Sequence, residues 1–159
     1  PIRTTFEQNR QGLKDGAMVL HEVPGGKKVV FAVVGDMTLI PVFEAAAFLE
    51  TEGIGVKIVS VINPRRLYRP HDVAWDTCSE ADGEFLSDDK FAEIFGGDAL
   101  IGVTGGASGM LEPIMLRSNA KRDTFAWKRG ETTASAGELM AFNGLTAEAL
   151  TKRAIELVH

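Results

Sequence analysis

Four groups of residues have types and spacings that can do chemistry. Gly105-Gly106-Ala107-Ser108-Gly109 follows the apolar run Ala99-Leu100-Ile101-Gly102-Val103 and precedes a helical pattern. A strand, a glycine turn and a helix in that order can hold a phosphate on backbone amides. The pattern reads G-G-x-x-G without a Walker lysine, and it serves equally as a tight strand-to-helix turn. Arg65, Arg66 and Arg69 follow the end of another strand pattern, where ligands of parallel sheets gather. Guanidinium groups there can clamp an anion bidentately or form solvated ion pairs. Gly105, Gly106, Arg65 and Arg66 are therefore the candidate anion-binding residues. His71, Asp72, Asp76 and Cys78 offer mixed metal ligands, but no C-x-x-C or H-x3-H spacing supports a site. His21, in a strand pattern, reads as a half-buried strand histidine as readily as a base. No G-x-S-x-G occurs, and no serine or cysteine has a recognisable partner. These residues assemble no catalytic, cofactor-binding or metal-binding set.

The last group is Thr132, Thr133 and Ser135, just before Leu139-Met140-Ala141-Phe142. Ser135-Ala136-Gly137-Glu138 is a capping box: the Ser135 hydroxyl takes the amide of Glu138, and the Glu138 carboxylate takes the amide of Ser135. The spacing predicts a short helix over 136–142 ended by Gly144. At 100° per residue, Leu139, Met140 and Phe142 cannot all face one way, so Met140 or Phe142 is expected outward. Thr132, Thr133, Met140 and Phe142 are the candidate interface residues.

The elements that must position these groups alternate. Residues 6–13 suggest a short polar helix ended near Gly16, then a strand over 17–23 and a turn at Pro24-Gly25-Gly26. Val29–Val34 is a continuous β-branched run, the mark of a strand buried on both faces and central in its sheet. A helix over 38–52 presents Leu39, Val42, Phe43, Ala46, Ala47 and Leu49 to the core. A strand follows over 56–62, then an irregular stretch over 64–86. Ser87 caps a helix through Phe95, with Asp88 and Asp89 in its first turn. A strand over 99–103, a helix over 109–118, a strand over 124–128 and helices over 136–142 and 147–158 complete the chain. Such alternation predicts an α/β domain with a mainly parallel sheet, helices on both faces, and 17–23 as the antiparallel edge.

The chain has 159 residues, the size of one domain, 1–159, with 1–16 as linker and first helix. A net charge of −5 speaks against nucleic acid as a partner. No apolar stretch reaches the ~18 residues of a membrane span. One cysteine cannot form an internal disulfide, which fits a reducing, cytoplasmic setting. The chain starts in mid-pattern without methionine, as a piece of a longer polypeptide or a trimmed free-standing protein would.

The stretch 129–145 also resembles a run near the C-terminus of phosphoketolases, G-Y-x-E-x-G-T-T-T-T-P-F-D-M followed by apolar residues and N-D-L. Thr132, Thr133, Ala134 and Ser135 stand where that family has four threonines, Ala136 where it has proline, and Glu138 where it has aspartate. Asn143 and Leu145 stand at its N and L. Upstream, Leu86-Ser87-Asp88-Asp89-Lys90-Phe91 with Phe95 and Asp98 resembles L-S-D-x-x-F-x-x-L-F-x-x-D. Gly35-Asp36 and Val59-Ser60-Val61-Ile62 fit two further segments in the same order. The family's H-G-Y is replaced by Thr104-Gly105-Gly106. The resemblance implies the C-terminal domain of a thiamine diphosphate and Mg²⁺ enzyme similar to transketolases. Such enzymes split ketose phosphates with phosphate to give acetyl phosphate. It further implies a three-layer α/β/α sandwich on a five-stranded mixed sheet and a homodimer of the full-length enzyme. In that picture the cofactors belong to N-terminal catalytic domains of the same chain, and this domain serves assembly. Two rivals remain: the same domain of another thiamine enzyme, such as a transketolase or a 2-oxoacid dehydrogenase β subunit, and a free-standing small-ligand or nucleotide-binding module using Gly105–Gly109.

Overall fold

A computed structural model describes residues 5–69, 85–128 and 133–159. Helix α1, Phe6–Asp15, starts at a Thr5 capping box and stops at Gly16. Gly16 adopts φ 82° and returns its N–H to the Gly12 carbonyl, a left-handed cap that suits glycine. Strand β1, Ala17–Val23, then turns into β2, Lys28–Val34. The turn needs Gly25, because a Cβ there would lie 2.0 Å from the Gly55 nitrogen. Helix α2, Leu39–Thr51, strand β3, Gly55–Val61, and the helical turn α3, Pro64–Leu67, follow. Then come α4, Asp88–Phe95, β4, Ala99–Thr104, a 3-10 turn at Ser108–Met110 and α5, Glu112–Arg117. Strand β5, Lys121–Phe125, α6, Ala136–Phe142, and α7, Ala147–Val158, end the chain.

The five strands run in the order β1-β3-β2-β4-β5. β2 pairs in parallel with β3 and β4, β4 with β5, and β1 alone is antiparallel, against β3. The apolar run at 29–34 is thus central, and 17–23 is the antiparallel edge. Alternate residues of the strands feed two cores. Val29, Phe31, Val33, Val56, Ile58, Ile101 and Val103 face α2 and α7. Val30, Ala32, Val59, Val61 and Leu100 face Leu67, α4 and α5 on the other side. This is a three-layer α/β/α sandwich.

Several boundaries differ from expectation. The last strand lies at 121–125 rather than 124–128, because it begins with the charged Lys121-Arg122-Asp123 that a sheet edge tolerates. Trp127 instead donates its N–H to the Gly106 carbonyl at 3.0 Å. Pro64 does not open an irregular stretch at once; it takes the first position of α3, where its missing N–H costs nothing. The expected helix over 109–118 divides into a 3-10 turn and α5, with Pro113 in the first turn of α5. In α2 the buried side is Pro41, Val42, Ala45, Ala46 and Leu49, so Ala47 faces outward.

Candidate functional site

Open parallel sheets bind ligands beyond the carboxyl ends of their strands, where the strand order reverses. Here that point lies between β2 and β4, since β3 extends the sheet one way and β5 the other. Gly35-Asp36-Met37-Thr38 lies on one side of the crevice and Thr104-Gly105-Gly106 on the other. The loop groups are used locally. Thr38 is buried, and its hydroxyl donates to the Val34 and Gly35 carbonyls. Thr104 is buried, and its hydroxyl oxygen accepts the Gly106 N–H at 3.0 Å, while the Gly106 carbonyl accepts from Trp127. Both backbone groups of Gly106 thus serve the tight turn, and Gly105 is exposed.

Arg65 is exposed and Arg66 half-buried on α3. Their parent strand β3 and the glycine loop's β4 are separated by β2, roughly 10 Å at the usual strand spacing. The two halves of the candidate anion site share an edge of the sheet, yet they belong to non-adjacent strands. His71, Asp72, Asp76 and Cys78 lie outside the described residues. Among the described residues no group of three His, Cys, Asp or Glu side chains could hold a metal ion.

Ser135 caps α6 as the box requires. Its hydroxyl accepts from the Glu138 amide at 3.4 Å, and a Glu138 carboxylate oxygen accepts from the Ser135 amide at 2.9 Å. The Ser135 hydroxyl also donates to that carboxylate oxygen at 2.7 Å, and this bond first, the Ser135 amide second, holds the Glu138 carboxyl below the usual carboxylate range. Met140 packs on the core, whereas Phe142 is 62% exposed. Thr133 is exposed, and Thr132 lies outside the described residues.

His21 meets Glu50 at 2.6 Å and tilts against Phe43, tying the edge strand to α2. It is half-buried, and no hydroxyl or thiol among the described residues is bonded to it.

Three buried polar side chains organise this region; the sequence named Asn143 only as a position of the family run, and Arg117 and Lys57 not at all. Arg117 is buried and donates to the Leu67 carbonyl at 2.7 Å, the Leu86 carbonyl at 2.9 Å and Asp88 Oδ1 at 2.6 Å. Its guanidinium lies 4.3 Å from the Phe91 ring centroid. Asn143 is buried, donating to the Leu139 carbonyl at 2.7 Å and accepting from the Lys128 amide at 2.5 Å. Lys57, buried in β3, donates to the Glu93 carbonyl at 2.9 Å near the end of α4 and sits 3.4 Å from Glu22. Burial pushes its ammonium pKa down, against the pull of Glu22. Each looked like an ordinary surface residue in one dimension. Only the parity of Lys57 within an apolar strand hinted at an inward charge.

The architecture defines a class: this is the fold of the transketolase C-terminal domain. No family model matches the chain, and no curated protein matches it. Solved structures do. A transketolase from Leishmania mexicana superposes with TM-score 0.64 at 21% identity, over 93% of this chain and 18% of that one. A transketolase from Campylobacter jejuni gives TM-score 0.62 at 17% identity, over 91% of this chain and 19% of that one. A split-gene transketolase, described as an inactive β4 tetramer, gives TM-score 0.62 at 18% identity, over 92% and 44%. The chain thus spans under a fifth of the first two and under half of the third. At these identities the likeness is one of fold.

Proposed function

We propose that this chain is the C-terminal, assembly-supporting domain of a thiamine diphosphate-dependent enzyme acting on ketose phosphates, and that the parent enzyme is a phosphoketolase. One observation carries the reading: nearly the whole chain superposes on a minor part of much longer transketolases. The ordered similarity of residues 86–98 and 132–145 to phosphoketolase segments favours that family within the class. In this reading thiamine diphosphate and Mg²⁺ bind to the N-terminal catalytic domains, the full enzyme is a cytoplasmic homodimer, and this domain supplies no catalytic residue. Thr132, Thr133 and Phe142 then meet the rest of the enzyme, with the exposed Phe142 as the anchor, while Met140, packed on the core, leaves that set. The named neighbours favour a second reading, the same domain of a transketolase.

Two measurements test these readings. Calorimetric titration of the 159-residue chain with thiamine diphosphate and Mg²⁺ should show no binding; clear micromolar affinity contradicts an assembly role. The full-length polypeptide, given xylulose 5-phosphate and inorganic phosphate, should form acetyl phosphate. If the ketose is consumed only when an aldose acceptor is added, the parent is a transketolase.

A further inference from the structure

Helix α2 is apolar on both sides. Its inner side buries Pro41, Val42, Ala45, Ala46 and Leu49, while its outer side leaves Ile40 69% and Phe48 58% exposed. A helix apolar all round is one that gets enclosed. Beside Phe48, a groove of about 540 Å³ runs between α2 and α7, with Phe48, Ala147 and Ile155 as its apolar lining. Glu44, Glu148, Lys152 and Glu156 rim it. Glu156 is engaged by Arg153 at 3.0 Å, whereas Glu44 and Glu148 are in no ion pair among the described residues. The occupant must therefore be apolar with basic flanks.

One surface of this same chain has that character. Helix α1 exposes Phe6 at 75% and Leu13 at 63%. Positions 6 and 13 share one helical stripe and lie about 10 Å apart along the axis. Arg10 and Lys14 flank that stripe and make no ion pair among the described residues. On α7 the groove runs from Ala147 to Glu156, long enough for two such anchors at about 1.5 Å per residue. We propose that helix α1 of a second copy of this chain lies in the α2–α7 groove, with Phe6 and Leu13 as anchors and Arg10 and Lys14 facing Glu44 and Glu148. This is helix-in-groove recognition between two different surfaces of one chain. Where two copies dock reciprocally the contact closes into a two-fold dimer, and where they do not it continues into longer oligomers.

Sedimentation velocity of the 159-residue chain from ~1 μM to ~1 mM tests it. Mass should rise with concentration. Phe48→Glu and Leu13→Glu should each be monomeric with unchanged circular dichroism, since both side chains are exposed. Their equimolar mixture should form a 1:1 dimer and stop there, because each variant keeps the half that the other has lost. Should either variant misfold, Arg10→Glu with Lys14→Glu replaces it. That pair should weaken association at least tenfold, and Glu44→Lys with Glu148→Lys on the partner copy should restore it. A wild-type chain that stays monomeric throughout, or a mixture that does not pair, overturns the proposal. Either result leaves the enzyme reading above untouched, because that rests on the fold and on acetyl phosphate formation.

Discussion

Arg117→Met tests how the helical layer over β4 is held. The guanidinium reaches three elements at once: the end of α3 through Leu67, the approach to α4 through Leu86 and Asp88, and its own α5. Methionine keeps the aliphatic stem but removes every donor. The Leu67 carbonyl is buried with its bond and loses a partner, at about 1–3 kcal/mol. The Leu86 carbonyl is half-buried and falls at the low end, about 1 kcal/mol. The contact over Phe91 adds about 0.5–1 kcal/mol. Asp88 adds little, because its side chain is 78% exposed and water replaces the arginine. The sum is about 2.5–5 kcal/mol, which overlaps what is expected when one partner is stripped from a buried charged cluster. Urea unfolding followed by circular dichroism should show that loss, and Arg117→Lys, which keeps the charge without the planar fork, should lose about half as much. The Leu86 amide, bonded to the Arg66 carbonyl at 2.7 Å, should exchange faster in Arg117→Met. A cost under about 1 kcal/mol would refute the reasoning, since buried carbonyls without donors are not that cheap.

Four further outcomes are expected. Ser135→Ala should cost about 1 kcal/mol in urea unfolding, and Ser135→Asp clearly less, because aspartate also caps. Asp98 is held below the usual carboxylate range first by the Lys28 amide, Glu22 by Lys28, and Asp88 by Arg117. A lowered folded pKa leaves the unfolded chain binding more protons, so this stabilisation is present above pH ~4 and is lost as pH falls through the folded values; a urea midpoint that rises on acidification contradicts it. Asp123 accepts the outward Thr124 amide at 2.7 Å and holds Arg153 at 2.5 Å, so Asp123→Ala should bare the β5 edge and raise light scattering on heating, and an unchanged scattering onset sinks the idea. Amides at 29–34 should exchange far more slowly than those at 17–23, and equal rates contradict the central place of β2.

Most of this fold was legible because its elements announce themselves locally. Val29–Val34 lacks alternation because both its faces are covered, and that pattern alone places it mid-sheet. Ser87 and Ser135 each precede their helix with an acid in the first turn, so both helix starts are readable. The last strand was misplaced because its signal is inverted. Thr124-Phe125-Ala126-Trp127 looks like a strand by propensity, yet pairing with β4 begins at Lys121, where edge charge outweighs β-propensity. The glycine turn was legible as an object but ambiguous in purpose. Its purpose hangs on the Thr104 hydroxyl and Trp127 amide, which no spacing rule connects. Arg117, Asn143 and Lys57 were illegible for the same reason: each acts on backbone atoms brought close only by tertiary packing.

Those three share their role with Thr38 and Thr104, the other buried polar residues among those described. Each of the five spends at least one hydrogen bond on a backbone group of a turn or a helix, and Arg117 adds one to the Asp88 carboxylate. Two buried nitrogens, Arg66 Nε and Arg117 Nε, have no partner among the described residues. An active site has the opposite distribution, with polar groups held ready inside a cavity and their demands left for substrate. In this chain the unmet demand is apolar and external: Ile40 and Phe48 on α2, Phe142 on α6, Phe6 and Leu13 on α1. Bare apolar groups of this kind are what the assembly role proposed above would need, because such a role consists in covering them.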